Sequence, residues 1–453
     1  MNIIVVGCGK IGDTVLESLV EEGHDVTAID NRTIALTDIT NIYDVMTVCG
    51  NGADCETLAE AGVADADLVV ATTGSDEVNM LCCHIAKRMG VANTVARIRK
   101  PEFNDRSLGK MQDLLDLSLV INPDRLAALE IYHMLRLPAA VKLETFSSGN
   151  FEMIEIKLKE DSPFVGVPLY QLRDKFKATF LVCVVQRGEE VFIPGGDFVL
   201  QAGDRVGITA KHAELQKLLR NINMGMKRKA RKVMILGGSR TAYYLAKRLL
   251  SAGTEVKIID KDRETCEVLC ELLPNASVIC GDGTQQELLL EEGLEGMDAF
   301  VSLTGLDEQN ILLAFFAASH QVSKVIPKVN RKELASLAER LGLDTVVSPR
   351  TIIADVLVQH ARALENSMGS NVETLYRLMD EGAEALEFNV KDDPRLVNIP
   401  LKTLQLKRQV LVAGINRGRE SLIPTGDDVI LPGDKVVVIT AAGRLNDLAD
   451  ILK

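Results

Sequence analysis

The sequence predicts an α/β chain: two tandem doubly wound parallel-sheet domains, each followed by a small α+β domain with antiparallel hairpins. Three observations predict it. One unit occurs twice, with Gly7 answered by Gly237 and Asp30 by Asp260, a displacement of 230 residues. Inside each copy, apolar runs of five or six residues alternate with helical patterns, as strands buried on both faces do in a parallel sheet. Each copy then changes to alternating residues and Gly-Asp turns, as in "FVLQAGDRVGITA", the texture of hairpins.

In chain order, "NIIVVG", "DVTAID", "VMTVCG", "DLVVATT" and "TVARIR" read as strands, with helices near residues 10–22, 55–61 and 76–90. A further helix, "NPDRLAALEIYHMLR", starts at Pro123, where a missing N–H costs nothing. The repeat continues through "VCGNGADCETLAEAG" and "ICGDGTQQELLLEEG", "TTGSDEVN" and "LTGLDEQN", "VARIRKPE" and "IPKVNRKE", each pair displaced by 231 residues. It reaches "VPLYQL" against "IPLKTL" and "FIPGGDFVLQAGDRVGIT" against "LIPTGDDVILPGDKVVVIT". The predicted domains are therefore 1–138 and 231–368, each with a crossover helix, the smaller domains 139–222 and 369–453, and a linker 223–230. The basic run from Lys227 to Lys232 leaves two readings open, a solvated linker or a contact with an acidic membrane surface.

A length of 453 residues with 47% apolar content fits two to four domains. The net charge of -13, with no basic stripe, argues against a protein that grips nucleic acid through phosphates. The start at Met1 runs directly into a strand pattern and carries no signal-peptide features. Apolar stretches fall far short of the roughly 20 residues of a membrane span, so a soluble chain is expected. Nine cysteines without a CxxC pair read as reduced thiols.

The candidate chemistry begins at Gly7-Cys8-Gly9-Lys10-Ile11-Gly12, which follows a strand and opens a helix. The first glycine permits the tight turn, the second lets backbone N–H groups approach a pyrophosphate, and the third lets helix pack on strand, as in Rossmann-like domains. Asp30 ends the next strand, where a carboxylate can accept ribose hydroxyls and repel a 2'-phosphate. NAD or an adenosine nucleotide is therefore expected over NADP. Three further loops lie at the carboxyl ends of strands, the rim where open parallel sheets bind ligands: Gly50-Asn51-Gly52, Thr72-Thr73-Gly74-Ser75, and Arg97. Ser75 or Asp76 also suits a helix cap, and Arg97 suits either a phosphate or a surface ion pair.

In the second copy the loop is Gly237-Gly238-Ser239-Arg240-Thr241-Ala242, with Ser239 and Ala242 replacing glycines, while Asp260 and Gly281-Asp282-Gly283 are kept. A Cβ at Ser239 crowds the pyrophosphate position, and Arg97 is answered by Lys328, so binding there is expected to be weaker, altered or absent. "CCH" at Cys82–His84 cannot converge on one metal from consecutive helical positions. Cys266 and Cys270 share a helical face without a second ligand pair, and Asp76-Glu77 and Asp307-Glu308 suit helix starts. A dehydrogenase would need an acid or base near the nicotinamide, and the six histidines form no matched pair between copies. A nucleotide sensor is therefore favoured over the alternative, an NAD-dependent oxidoreductase.

The order of glycine loop, Asp30, "GNGAD", "TTGSDEVN" and "ARIR", followed by a small hairpin domain and then repeated, resembles the TrkA family of bacterial potassium-uptake regulators, built from RCK (KTN) domains. The resemblance implies a non-enzymatic, cytoplasmic regulatory subunit, peripheral on the inner face of the membrane. It also implies binding of NAD(H), with ATP or ADP as further ligands in relatives, and gating of a TrkH-like membrane potassium channel or transporter subunit by ring rearrangement. For tandem chains the ring is a homotetramer. Its first nucleotide site maps onto Gly7, Cys8, Gly9, Lys10, Ile11, Asp30, Asn51, Thr73, Gly74 and Arg97. The second maps onto Gly237, Gly238, Ser239, Arg240, Thr241, Asp260, Thr304, Gly305 and Lys328. The smaller domains would mediate assembly, and in some relatives they bind a cyclic dinucleotide.

Overall fold

Val5 and Val6 are buried on a strand that pairs on both sides, and this continuous apolar character makes β1 (Asn2–Val6) the centre of a parallel sheet. The structure is a computed structural model that describes all residues except 101–104, 137–141, 147–150, 223–229, 344, 368–371, 380–381, 419, 442–444 and 446. The predicted linker lies outside the described residues apart from Ala230, as do Lys227, Arg228 and Lys229 of the basic run.

The first sheet also contains β2 (Asp25–Asp30), β3 (Met46–Cys49), β4 (Leu68–Ala71), β5 (Asn93–Arg97) and β6 (Leu119–Ile121), in the parallel order β3-β2-β1-β4-β5-β6. The strand order reverses beside β1, which puts a crevice above the carboxyl ends of β1 and β4. The connecting helices are α1 (Lys10–Glu21), α2 (Thr33–Ile42), α3 (Cys55–Glu60), α4 (Asp76–Arg88) and α5 (Asp105–Leu115), followed by α6 (Pro123–Arg136), which begins at the expected proline. Helix α2 has no counterpart in the sequence expectation. Its sequence "TIALTDITNI" is rich in β-branched residues, which disfavour helix locally, and burial of Leu36 and Ile39 holds it in place.

The antiparallel sheet that follows comprises β7 (Lys142–Phe146), β8 (Phe151–Lys157), β9 (Phe180–Arg187), β10 (Glu190–Phe192) and β11 (Arg205–Lys211), with α7 (Leu169–Phe176) and α8 (His212–Asn221). The second parallel sheet comprises β12 (Lys232–Leu236), β13 (Glu255–Asp260), β14 (Ser277–Cys280), β15 (Ala299–Ser302) and β16 (Lys324–Pro327), in the order β14-β13-β12-β15-β16. Its helices are α9 (Arg240–Ser251), α10 (Arg263–Leu272), α11 (Gln286–Glu291), α12 (Asp307–Ser319), α13 (Lys332–Arg340) and α14 (Pro349–Ser367). A last antiparallel sheet is formed by β17 (Val372–Leu378), β18 (Ala383–Asn389), β19 (Val410–Arg417), β20 (Glu420–Leu422) and β21 (Lys435–Thr440).

The chain divides into two units: Met1–Tyr132 with Arg231–Ala361, and His133–Ala230 with Arg362–Lys453. In the first unit, Thr241 Oγ1 donates to Asp124 Oδ1 at 2.8 Å and Asn122 Nδ2 donates to Tyr244 Oη at 3.1 Å, joining the two parallel-sheet halves. In the second unit, Met153, Cys183, Val184 and Met379 share one apolar core with Ala385, Ala413 and Val437, so both antiparallel halves bury a common face. Burying each of these Met and Val side chains contributes about 1.5–3 kcal/mol. Among the described residues no helix is long and apolar enough to cross a membrane.

Candidate functional site

The glycine loop is shaped by what its backbone must do. Gly7 has φ +90, and a Cβ there would come within 2.7 Å of the Thr73 backbone, so neither conformation nor space admits a side chain. A Cβ at Gly12 would come 1.9 Å from the Gly7 carbonyl oxygen, which is how close α1 sits to the turn. Gly9 differs: it is the extended N-cap of α1, makes no side-chain cap bond, and a Cβ there would meet nothing within 4 Å. The first turn of α1 thus keeps its N–H donors for another acceptor.

Asp30 closes the loop from below. Its Oδ2 accepts from the Cys8 N–H at 2.8 Å, and its Oδ1 accepts from the Arg32 N–H at 2.9 Å and Arg32 Nε at 3.2 Å. Burial pushes this carboxyl up, but the hydrogen bonds from Arg32 and Cys8 outweigh it and hold it below the ordinary carboxylate value. Burial, with Asp30 and Asp13 nearby, pushes the Cys8 thiol up to about 12, so this thiol stays protonated.

The rim loops are tied by a residue that the sequence reading did not single out. Asn79, fully buried in α4, accepts from the Thr73 N–H at 2.8 Å and from Thr73 Oγ1 at 2.6 Å, and donates through Nδ2 to the Arg97 carbonyl at 2.8 Å. Asn310 repeats this network with Thr304 and Lys328. Asp76, expected to serve the helix dipole, also accepts the Arg99 and Lys100 N–H groups at 2.9 Å each and fastens the loop after β5. The retention of Asp and Asn in both "TTGSDEVN" and "LTGLDEQN" was the available signal. Ser75 does cap α4, accepting from the Val78 N–H. Asn51 Oδ1 accepts from the Ala53 N–H at 3.1 Å, which stiffens its turn.

Arg97 is buried to 8% exposure; one Nη donates to the Thr73 carbonyl and its Nε has no hydrogen-bond partner among the described residues. Burial, then the neighbouring Arg99, lowers its guanidinium to about 10, so it remains a cation at neutral pH. A buried donor without an acceptor is costly, and an anion in front of it would relieve that cost.

A cavity of about 950 Å³ lies over these groups, and Gly7, Gly9, Lys10, Ile11, Asp30, Asn51, Thr73, Gly74 and Arg97 line it. Cys8 and Gly12 sit behind its wall, both buried. The second half enters this same cavity: Thr241, Lys328 and Arg350 line it too, although the duplication assigns Thr241 and Lys328 to a second site. Gly237, Gly238, Ser239, Asp260 and Thr304 do not line it. The volume, the open helix start, the unpartnered Arg97 Nε and the surrounding cations fit a dinucleotide or nucleoside phosphate.

The second glycine loop differs in its cap. Ser239 Oγ accepts the Ala242 N–H at 3.3 Å, so α9 is capped by its own chain. Asp260 Oδ2 still accepts from the Gly238 N–H. The loop therefore has the same frame as the first, with one fewer donor to offer. Cys82 and Cys83 are buried, and His84 Nδ1 lies 3.1 Å from the Leu115 carbonyl, so these three side chains point to different surroundings.

The TrkA-N domain family matches residues 3–123 and 233–349, and the TrkA-C domain family matches 153–223 and 385–453. The chain is 32% identical over 453 residues to the Trk system potassium uptake protein TrkA homolog of Archaeoglobus fulgidus, covering 100% of both chains. It is 31% identical over 443 residues to the Trk system potassium uptake protein TrkA of Vibrio alginolyticus, covering 97% of this chain and 95% of that one. Among solved structures, the GsuK channel superposes with TM-score 0.65 at 18% identity, over 97% of this chain and 77% of that one. The GsuK channel bound to NAD gives 0.64 at the same identity and coverage. At this identity both show a shared fold. With two TrkA-N and two TrkA-C domains in alternation and full-length relatives at this level, the chain belongs to the TrkA family of Trk system potassium uptake proteins.

Proposed function

We propose that this chain is a nucleotide-responsive regulatory subunit of a potassium-uptake system, with NAD(H) or an adenine nucleotide held in the cavity of the first parallel-sheet half. The observation that carries the reading is the uncapped start of α1 at Gly9, facing a cavity edged by Arg97, Lys328 and Arg350. The bound nucleotide would supply phosphate charge and contact surface. The N–H groups of α1 bind phosphate oxygens, and Arg97 neutralises them. Asp30 Oδ2, which accepts one bond from the Cys8 N–H, has a lone pair left for a ribose hydroxyl.

Lys328 and Arg350 belong to the other half, so their attraction to phosphate draws the halves of this unit into one arrangement. A ligand shifts such an equilibrium only by its difference in affinity between the two states. That shift would be read by a membrane potassium-translocating partner, with the chain at the cytoplasmic face and assembled as a tetrameric ring. The names of the full-length relatives support the potassium-uptake context, and the GsuK structures bound to NAD and to ADP support the ligand class.

Calorimetry with NAD+, NADH, ATP and ADP on the intact chain and on Asp30→Ala tests the site. Binding by the native chain and its loss in the variant are expected. Absence of binding by all four, unchanged binding by the variant, or consumption of NADH absorbance with small substrates would overturn the reading. Co-purification with a membrane potassium transporter tests the partner.

A further inference from the structure

The second parallel-sheet half contains a thiol arrangement that the first lacks. β14 ends at Cys280, whose backbone pairs in register with Asp260. Cys266 stands in the first turn of α10, with 5% exposure, and its Sγ lies 3.4 Å from the Asp260 carbonyl oxygen and 3.8 Å from the carbonyl oxygen of Ile279, the residue before Cys280. Cys280 is exposed.

The first half shows which way the side chain at this strand end points. Cys49 is the counterpart of Cys280, and its Sγ lies 3.5 Å from the hydroxyl of Thr33, the first residue of α2. The strand end thus faces the first turn of the preceding helix. The residue answering Cys266 in α2 is Leu36, so the first half has one thiol where the second has two. Burial and then the adjacent Cys280 raise the Cys266 thiol to about 11, in keeping with this closeness.

We propose that Cys266 and Cys280 form an oxidisable dithiol, a disulfide-forming modification site that responds to peroxides at the rim of the second half. Reactivity follows thiolate character and exposure, which assigns the first attack to Cys280. Its thiolate sulfur attacks one peroxide oxygen and the O–O bond breaks; with hydrogen peroxide this gives a sulfenic acid and, after protonation, water. The Cys266 sulfur then attacks the sulfenic sulfur, the S–O bond breaks, and a second water leaves with the Cys266 proton. Two thiols lose two electrons and two protons, and one peroxide is reduced to two waters. The new S–S bond pins the first turn of α10 to the end of β14 beside Asp260. It gives this half, whose glycine loop is capped by Ser239, a chemical input independent of any nucleotide bound in the first.

The test is oxidation of the full chain by hydrogen peroxide, alkylation under denaturing conditions, and peptide mass spectrometry. A Cys266–Cys280 cross-linked peptide, lighter by two hydrogens and lost on treatment with dithiothreitol, is expected. Cys266→Leu copies the first half; it should abolish the cross-link and leave Cys280 trappable as a sulfenic acid, with the thermal unfolding midpoint reporting that the variant is folded. A cross-link of Cys280 to Cys270 instead would overturn the proposal. So would full alkylation of both Cys266 and Cys280 under conditions that oxidise exposed Cys49.

Discussion

The carboxylate of Asp30 holds the Cys8 backbone N–H at 2.8 Å, so the residue at the end of the second strand also fixes the turn after the first. Asp30→Ala leaves that buried N–H without its acceptor, which costs about 1–3 kcal/mol. The pH dependence has a definite sign. The folded carboxyl is held below its ordinary value, so its contribution to stability is fully present above the unfolded value of about 3.9 and is lost as pH falls through the folded value. Urea unfolding of the native chain and Asp30→Asn at several pH values should show the two curves converging in acid, with the native chain the more stable near neutrality.

A second expectation concerns charge. Arg350 follows Pro349 as Asp124 follows Pro123, at the start of equivalent helices α14 and α6. The first loop therefore faces a cation: burial raises the Asp13 carboxyl and the Arg350 charge opposes that rise, while in the second half Asp124 accepts the Thr241 hydroxyl. Arg350→Glu should weaken nucleotide binding about tenfold, or about 1.4 kcal/mol, with a larger loss for ATP than for NAD+ and a smaller one at high salt. Titrations at two ionic strengths check it.

The buried amide of Asn79 offers a third. It joins the Thr73 loop to the strand end at Arg97, and Asn79→Ala leaves the Thr73 N–H without this acceptor inside the protein. A loss of about 2 kcal/mol in stability is expected together with weaker nucleotide binding, because the rim is no longer held. Chemical denaturation and calorimetry on the same sample separate the two effects. Asn310→Ala should lower stability comparably, with a smaller binding loss because at that cavity it holds only the backbone of Lys328.

These residues also show what could be read in advance. Gly7 was legible because a backbone at φ +90 pressed against Thr73 leaves glycine as the only fit, and such demands appear as motifs. Asp30 and Arg97 were legible because strand ends define the rim. The bonds by which Asn79 and Asp76 reach the end of β5 and the loop after it were not, since the Arg97 carbonyl and the Arg99 and Lys100 N–H groups lie 18 to 24 residues away and are backbone groups, which carry no residue signature. The entry of Lys328 and Arg350 into the first cavity depends on how the two halves pack, and motif spacing inside each half contains no record of that.

A fourth expectation lies in the antiparallel domains. Arg187 Nε and Nη2 donate to the two oxygens of Asp204, each at 2.8 Å, and Arg417 repeats the fork on Asp434 at 2.9 and 2.8 Å. Both aspartates also accept a backbone N–H from the turn before them, so the Gly-Asp signal marks a hairpin fastened to its neighbour strand. Asp204→Ala should cost about 3 kcal/mol, near the low end for a broken buried pair because Arg187 remains one-third exposed. Arg187→Met should lower the denaturation midpoint at least as far, since it leaves the fully buried Asp204 carboxylate a backbone N–H and no cation.

The fifth follows from the contrast between Gly9 and Ser239. A Cβ at Gly9 meets nothing within 4 Å, so Gly9→Ser is tolerated by the fold, and a capping hydroxyl there improves on glycine by a few tenths of a kcal/mol for α1. The same hydroxyl would take an N–H donor that is free in the native loop, as Ser239 does in α9. Stability and binding should therefore move in opposite directions, with a higher unfolding midpoint and nucleotide affinity reduced tenfold or more. The reciprocal change, Ser239→Gly, should release the Ala242 N–H and lower stability slightly. It should not create a strong second site, because Asp124 still faces that loop and stays bonded to Thr241. Only Ser239→Gly combined with Asp124→Arg is expected to raise the number of nucleotides bound per chain, and equilibrium dialysis with radiolabelled NAD+ counts them. An unchanged affinity in Gly9→Ser would show that the α1 start does not hold the phosphate.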